Sequence, residues 1–123
     1  MITGRVTALR EATIGLTVTG SNQRQQVLEA VLDTGFNGFL TLPNHVVRAL
    51  GLPFVGNRRV TLGDGSIVAL DLYLATVFWH EQEREVLVLQ ADGGPLVGMA
   101  LLSGNRVVLH VIDDGEVLIE PWP

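Results

Sequence analysis

Apolar and polar residues alternate in short runs along this chain, and turn-forming residues separate the runs. Residues Ala12 to Thr19 form one such run. An alternation with a period of two is typical of a β-strand, because successive side chains point to opposite faces. The apolar residues are mostly Val and Leu, and 14 Gly and 5 Pro punctuate them, which favours β structure. The 123 residues contain no evident linker, so the sequence predicts a single all-β domain covering 1–123.

The same pattern gives positions for a helix, a hairpin and the strands. Pro43 to Leu50 is predicted to be the one helix, because Pro43 suits a first helical position and Gly51 can end it. The clearest hairpin has its turn at Gly63-Asp64-Gly65. The other predictions are strands at Val6–Leu9, Ala12–Thr19, Gln26–Leu32, Arg59–Leu62, Ser66–Trp79, Glu85–Gln90, Arg106–Ile112 and Val117–Glu120, a polar turn at His80–Arg84, and a helical turn at Met99–Ser103.

Charge and composition exclude several classes of function. The net charge is −5, and the eight arginines form no basic stripe, so we expect no nucleic-acid partner. The absence of Cys excludes disulfides, thiolate metal sites and a cysteine nucleophile. The first residues lack the pattern of a signal peptide, and no apolar run approaches the roughly 18 residues that span a bilayer. We therefore expect a cytoplasmic protein with no membrane partner.

The tripeptide Asp33-Thr34-Gly35 is the strongest candidate for chemistry. It follows an apolar strand, and a carboxylate at the end of a buried strand is held rigidly yet can face a cleft. The Thr34 hydroxyl could hold the loop, and Gly35 permits close approach of the backbone. Asp-x-Gly is also common in ordinary turns, so the tripeptide alone is a weak indication.

The segments around it resemble those of clan AA aspartic proteases, in particular the small bacterial and archaeal retropepsin-like family. Residues 31–43 read VLDTGFNGFLTLP, which is similar to the active-site segment of that family. Leu50-Gly51 matches the end of its helix, the run from Thr61 to Ser66 matches its glycine-tipped flap, and Leu96-Val97-Gly98 matches the segment that supports its active-site loop. These matches occur in the family's order and cover nearly the whole chain.

The resemblance implies a closed β-barrel with one short helix and a flap hairpin, and the activity of an aspartic endopeptidase. Such enzymes use two carboxylates that share a proton, because two like charges about 3 Å apart cannot both ionise. The chain has one Asp-Thr-Gly, so the resemblance implies a homodimer in which each subunit contributes Asp33. The terminal segments Met1–Leu9 and Val117–Trp122 would interleave as strands at the interface. Trp122 could be buried against the partner or could cover its own subunit.

The resemblance also assigns the remaining site residues. Asp33, Thr34 and Gly35 would form the catalytic loop, and Leu96, Val97 and Gly98 would support it. An extended peptide or protein substrate would contact residues of the pocket and the flap, which are Phe36, Leu62, Gly63, Asp64, Gly65 and Ile67. Neither a metal nor a cofactor is implied.

Three departures from the family pattern leave an alternative open. Phe36 replaces the usual Ala or Ser, Asn37 stands where Ser or Thr often bonds the loop, and Ala100 stands where many relatives have Asp or Asn. The chain could therefore be a catalytically weak or inactive module for dimerisation or protein binding. Other candidates are weaker: His80-Glu81 has no second histidine at ligand spacing, and neither Ser66 nor Ser103 lies in a nucleophile elbow.

Overall fold

The computed structural model describes all 123 residues and consists mainly of strands. The ten strands are β1 (Ile2–Val6), β2 (Ala12–Thr19), β3 (Gln25–Leu32), β4 (Leu40–Leu42), β5 (Phe54–Thr61), β6 (Ile67–Trp79), β7 (Gln82–Gln90), β8 (Leu96–Val97), β9 (Asn105–Leu109) and β10 (Glu116–Pro121). The two helices are α1 (Asn44–Leu50) and α2 (Met99–Leu102), and a single 3-10 turn covers Ser21–Gln23. Neither α-helix has the length or the apolar character needed to cross a bilayer.

All ten strands belong to one sheet with the order β5-β6-β7-β4-β8-β3-β2-β1-β10-β9. The sheet also curls back on itself, because β2 pairs with β6 through Val18↔Val77 and Thr19↔Thr76. This contact has two residue pairs, whereas β6 and β7 pair from Leu72↔Leu89 to Trp79↔Gln82. The ring of pairings is therefore uneven. The predicted all-β fold is confirmed, and the regular closed barrel stays a prediction.

The inward faces of the strands form one hydrophobic core. Alternate residues of β2 point inward, so Ile14, Leu16 and Val18 are buried while Gly15 is exposed. The amphipathic helix α1 packs its apolar face against the same core, and α2 contributes Leu101. Full burial of such a side chain contributes roughly 1.5–3 kcal/mol. The loops that leave this core are therefore attached to packed strands and helices.

The shortest strand, β8, positions the loop that connects β3 to β4. β8 lies between β3 and β4, parallel to β3 through Val31↔Leu96 and Leu32↔Val97 and antiparallel to β4. The chain leaves β3 at Leu32 and enters β4 at Leu40. Residues 33–39 therefore cross over the end of β8, and they cannot move without disturbing both neighbouring strands.

Several predicted element bounds are wrong. β1 ends at Val6, because Thr7 and Arg10 form a turn closed by the Arg10 N–H to the Thr7 carbonyl at 2.9 Å. The first strand was expected at Val6–Leu9. Pro43 precedes α1 as its N-cap and is not its first residue, while Gly51 ends the helix in the left-handed conformation at φ 59° as expected.

Other bounds differ because strand pairing reaches further than the local pattern indicates. The polar turn expected at His80–Arg84 contains only His80 and Glu81, since β7 begins at Gln82 and pairs with Trp79. β5 begins at Phe54 and not at Arg59, and it ends before Leu62. β9 stops at Leu109, so Val111 and Ile112 lie outside it. β4 was not predicted, and α2 confirms the predicted helical turn, so the chain has two short helices rather than one.

The terminal strands have no free edges in the single chain. β1 lies between β2 and β10, and β10 lies between β1 and β9. The backbone groups of β1 and β10 thus pair within the chain, and the interleaving of Met1–Leu9 and Val117–Trp122 with a partner stays a prediction. Trp122 is 65% exposed, so it does not cover its own subunit.

Candidate active site

Asp33 is the first residue after β3, and its backbone is fixed by β8. Its N–H donates to the carbonyl of Val97 at 2.9 Å, which continues the parallel pairing by one residue. Its half-buried side chain turns back on the loop, where Oδ1 accepts the Gly35 N–H at 2.9 Å. Asp side chains commonly stabilise turns in this way. The other carboxylate oxygen makes no hydrogen bond within the chain, so it can act on a bound molecule.

The segment after β8 supports the loop through backbone hydrogen bonds. Gly98 N–H donates to Phe39 O at 3.0 Å, Met99 N–H to Phe36 O at 2.8 Å, and Ala100 N–H to Gly38 O at 3.1 Å. Each bond joins a loop residue to a position about sixty residues later. The structure therefore places Leu96-Val97-Gly98 directly behind the Asp33 loop, where the sequence predicted the supporting segment.

The ring of Phe36 packs over two glycines. An added Cβ at Gly38 would lie 2.5 Å from Cζ of this ring, and one at Gly98 would lie 2.5 Å from Cδ2 and against the Gly38 carbonyl oxygen. Contacts this short are forbidden by van der Waals repulsion. Phe36 was predicted to line a pocket; it also fills the space that the two glycines leave, so its size matches their lack of side chains.

Thr34 points away from this packing and is exposed. None of the side-chain hydrogen bonds within the chain involves its hydroxyl, and its predicted role in holding the loop stays a prediction. It borders a hollow of about 220 Å³ lined mainly by apolar side chains: Leu32, Met99, Leu102, Val107 and Leu109, together with Asn105. Met99 and Leu109 are 45% and 41% exposed, so this apolar surface is open to a partner.

A second hollow lies on the other side of the loop. This cleft, of about 370 Å³, is lined by Gly35–Gly38 on one wall and by Arg58–Thr61 of β5 on the other, with Leu89 as a further contact. Neither hollow is lined by an Asp or Glu, and Asp33 itself lies between the residues that line them. One chain therefore offers a single carboxylate at this site, flanked by an apolar hollow and by a cleft with two arginines.

The residues of the cleft wall were missed by the sequence analysis. Arg58 and Arg59 are the chain's only adjacent pair of basic residues, and that pair was a visible signal. Their place opposite Gly35–Gly38 depends on the path of β5, which starts five residues earlier than the pattern indicated.

The predicted flap is a hairpin between β5 and β6 with a well-formed tip. Leu62 N–H donates to Ser66 O at 2.8 Å, and Gly65 has the left-handed φ of 85° that the turn requires. Asp64 Oδ1 accepts hydrogen bonds from the Ser66 hydroxyl at 2.6 Å and the Ser66 N–H at 2.9 Å. These bonds hold the pKa of Asp64 below its ordinary value of 3.8, since they favour the ionised form.

The structure brings some of the predicted site residues together and leaves others apart. The Asp33 loop and Leu96-Val97-Gly98 are in direct contact. The flap-tip residues Leu62, Gly63, Asp64, Gly65 and Ile67 do not line the cleft. Leu62 and Ile67 are exposed at 44% and 63%. The cleft is bounded instead by the strand that leads to the tip.

Histidines and acidic residues form no second chemical site. No group of three or more His, Asp or Glu side chains is arranged to hold a metal ion. His80 was expected in a solvated turn, but it is half-buried and lies 2.6 Å through Nε2 from Asn105 Oδ1. This contact ties the β6–β7 turn to the start of β9.

Comparison with known proteins shows the fold. The crystal structure of a retropepsin-like aspartic protease from Rickettsia conorii is similar to this chain with a TM-score of 0.59, over 99% of this chain and 91% of the other, at 16% sequence identity. No protein-family model matches the sequence, and no curated protein matches it. At this identity the likeness shows a retropepsin-like fold and nothing finer.

Proposed function

We propose that the chain is an aspartic endopeptidase that acts as a homodimer, with Asp33 as the catalytic carboxylate of each subunit. The observation that carries this proposal is the position of Asp33 at the end of β3, held by the Val97 carbonyl and with one carboxylate oxygen unbonded. The retropepsin-like fold supports it. Fold alone does not establish activity, so the proposal depends on this loop.

The dimer follows from the need for two carboxylates. No Asp or Glu lines either of the hollows beside the Asp33 loop, and a two-fold axis beside the loop would bring the partner's Asp33 against it. The ionised carboxylate would take a proton from a water molecule, and the protonated one would donate a hydrogen bond to the scissile carbonyl. No covalent intermediate is needed.

The apolar hollow beside Thr34 supports the same arrangement. Leu32, Met99 and Leu109 leave apolar surface open next to the catalytic loop, and Trp122 is exposed at the end of β10. Burial of apolar surface drives most protein association. A second copy packed on this side would cover the hollow, and it would place the two Asp33 loops together without any exchange of β1 or β10.

The test combines oligomeric state with mixed dimers. Size-exclusion chromatography with light scattering should give a dimer, and the dimer should cleave a peptide library at mildly acidic pH. The dimer of Asp33→Asn should cleave nothing, while Asp113→Asn, which changes an exposed turn aspartate, should retain full activity. In refolded mixtures with Asp33→Asn, activity should fall as the square of the wild-type fraction. A linear fall would mean that each subunit works alone, and a monomer without activity would refute the proposal.

The alternative, a catalytically weak or inactive dimerisation or protein-binding module, also has an observation in its favour. The Asn37 side chain is exposed and makes no hydrogen bond within the chain, so the loop lacks the bond that Ser or Thr often provides at this position of the family. A wild-type dimer that cleaves no peptide, and that binds peptides no better than the Asp33→Asn dimer does, would support this module.

A further inference from the structure

The cleft beside the Asp33 loop carries an unusual concentration of positive charge for this protein. The chain has a net charge of −5, yet the wall formed by Arg58–Thr61 places two arginines opposite Gly35–Gly38. No Asp or Glu lines the cleft. A substrate that enters it therefore meets two guanidinium groups on one side and the Gly35–Gly38 loop, with the side chains of Phe36 and Asn37, on the other.

Neither arginine has a partner within the chain. The two ion pairs of the structure are Arg5–Asp114 and Arg106–Glu120, and no side-chain hydrogen bond involves Arg58 or Arg59. A guanidinium with five free donors beside a binding cleft is suited to a carboxylate of a bound molecule.

The strand register separates the roles of the two arginines. Arg58 pairs across the hairpin with Leu70, and Val60, two residues on, pairs with Val68. Val60, Val68 and Leu70 are half-buried, so this face of the ribbon is turned toward the body of the molecule. Arg59 is on the opposite, more exposed face, which also carries Asp71. Both arginines line the cleft and both are exposed, and Arg58 is the one on the face turned toward the body, away from Asp71.

We propose that this cleft is a subsite for an acidic side chain, Glu or Asp, of an extended peptide substrate, and that Arg58 binds its carboxylate. The inference rests on the proposed protease function, because it assigns a specificity to that site. A planar guanidinium can make two parallel hydrogen bonds to a carboxylate. Arg58 is exposed, so the pair relies on this two-bond geometry and on the lack of a competing carboxylate in the cleft.

The test uses matched peptides in which one position at a time, on either side of the scissile bond, is Glu or Gln in a constant apolar background. At one position kcat/KM of the wild-type protein should be about three- to ten-fold higher for Glu, since a two-bond ion pair at an exposed arginine contributes less than a buried charged hydrogen bond. Arg58→Gln should abolish this preference by slowing cleavage of the Glu peptide alone. Arg48→Gln, the same change at an exposed residue of α1, should leave the preference intact.

A charge reversal sharpens the result. Arg58→Glu should prefer Lys over Gln at the same position. Cleavage by the wild type without any preference for Glu, or a preference that survives Arg58→Gln, would overturn the subsite and leave the protease proposal standing.

Binding separates the two proposals if nothing is cleaved. The same peptides, labelled with fluorescein, are titrated into wild-type and Arg58→Gln protein and followed by anisotropy. Tighter binding of the Glu peptide that is lost in Arg58→Gln would support the subsite while the protease proposal fails. Equal binding of the Glu and Gln peptides would overturn the subsite as well.

Discussion

The contact between Phe36 and Gly38 makes a quantitative prediction about stability. In Gly38→Ala the new methyl group would lie 2.5 Å from Cζ and 2.7 Å from Cε1 of the Phe36 ring, so the ring must move by about an ångström to an ordinary contact. Overpacking of this kind costs about 1–3 kcal/mol. The backbone of Gly38 is not left-handed, so alanine there has no conformational penalty and loses less entropy on folding, a gain of about 0.4–1 kcal/mol.

A double-mutant cycle isolates the contact. Gly38→Ala should lower the free energy of unfolding by about 1–2 kcal/mol in the wild-type background, and it should be neutral or slightly stabilising in Phe36→Ala. Phe36→Ala alone should cost about 1–2 kcal/mol, because the ring is half-buried and full truncation of a buried Phe costs more. The interaction energy between the two sites is then about 1–3 kcal/mol.

Urea unfolding followed by tryptophan fluorescence measures each variant, since Trp79 is 6% exposed and reports on the core. All variants are compared at one protein concentration, because dimerisation would link stability to concentration. Gly98→Ala is the control: an added Cβ there meets the Phe36 ring but also two backbone carbonyl oxygens, those of Gly38 and Phe36, so Phe36→Ala should relieve only the ring contact and leave most of the cost. An equal cost of Gly38→Ala in both backgrounds would refute the packing described for Phe36.

Two further predictions concern the flap tip and β4. Asp64→Ala should lower the exchange protection of the Ser66 amide. The pKa of Asp64 is lowered in the folded state, so its carboxylate stabilises the turn at pH values above the ordinary pKa of 3.8, and this stabilisation is lost as the pH falls through the lowered pKa. Protection of the Ser66 amide in wild type that is unchanged on acidification would contradict this. Thr41→Val should lower the free energy of unfolding by about 1–3 kcal/mol, because the buried Thr41 hydroxyl accepts the Leu96 N–H at 3.1 Å. Thr41→Ser should retain most of the stability in urea unfolding, and equal losses in the two variants would argue against that bond.

The parts of the fold that the sequence predicted are those with a local signal. The helix ending at Gly51 and the hairpin turn at Gly63-Asp64-Gly65 are specified by residues adjacent to them. The Asp33 loop was proposed on a longer local signal, because residues 31–43 together resemble the family's active-site segment while Asp33-Thr34-Gly35 alone is a weak indication.

The parts that were missed depend on distant partners. β4 has three residues, and it becomes a strand because β7 and β8 pair with it from more than forty residues away. Leu9 was assigned to a strand on apolar character alone, although Arg10 adopts a left-handed φ of 63° in a turn. The arginine wall of the cleft was missed because no local pattern predicts which loop a strand will face.

The insertion of β8 between β3 and β4 also constrains how the protein folds. The loop at Asp33 takes its shape from hydrogen bonds to residues 97–100, so those bonds close a segment of more than sixty residues. Contacts of such long sequence separation form slowly, since the entropy of loop closure must be lost before they contribute. During synthesis on the ribosome, the carboxylate would therefore remain without its final geometry until α2 had emerged.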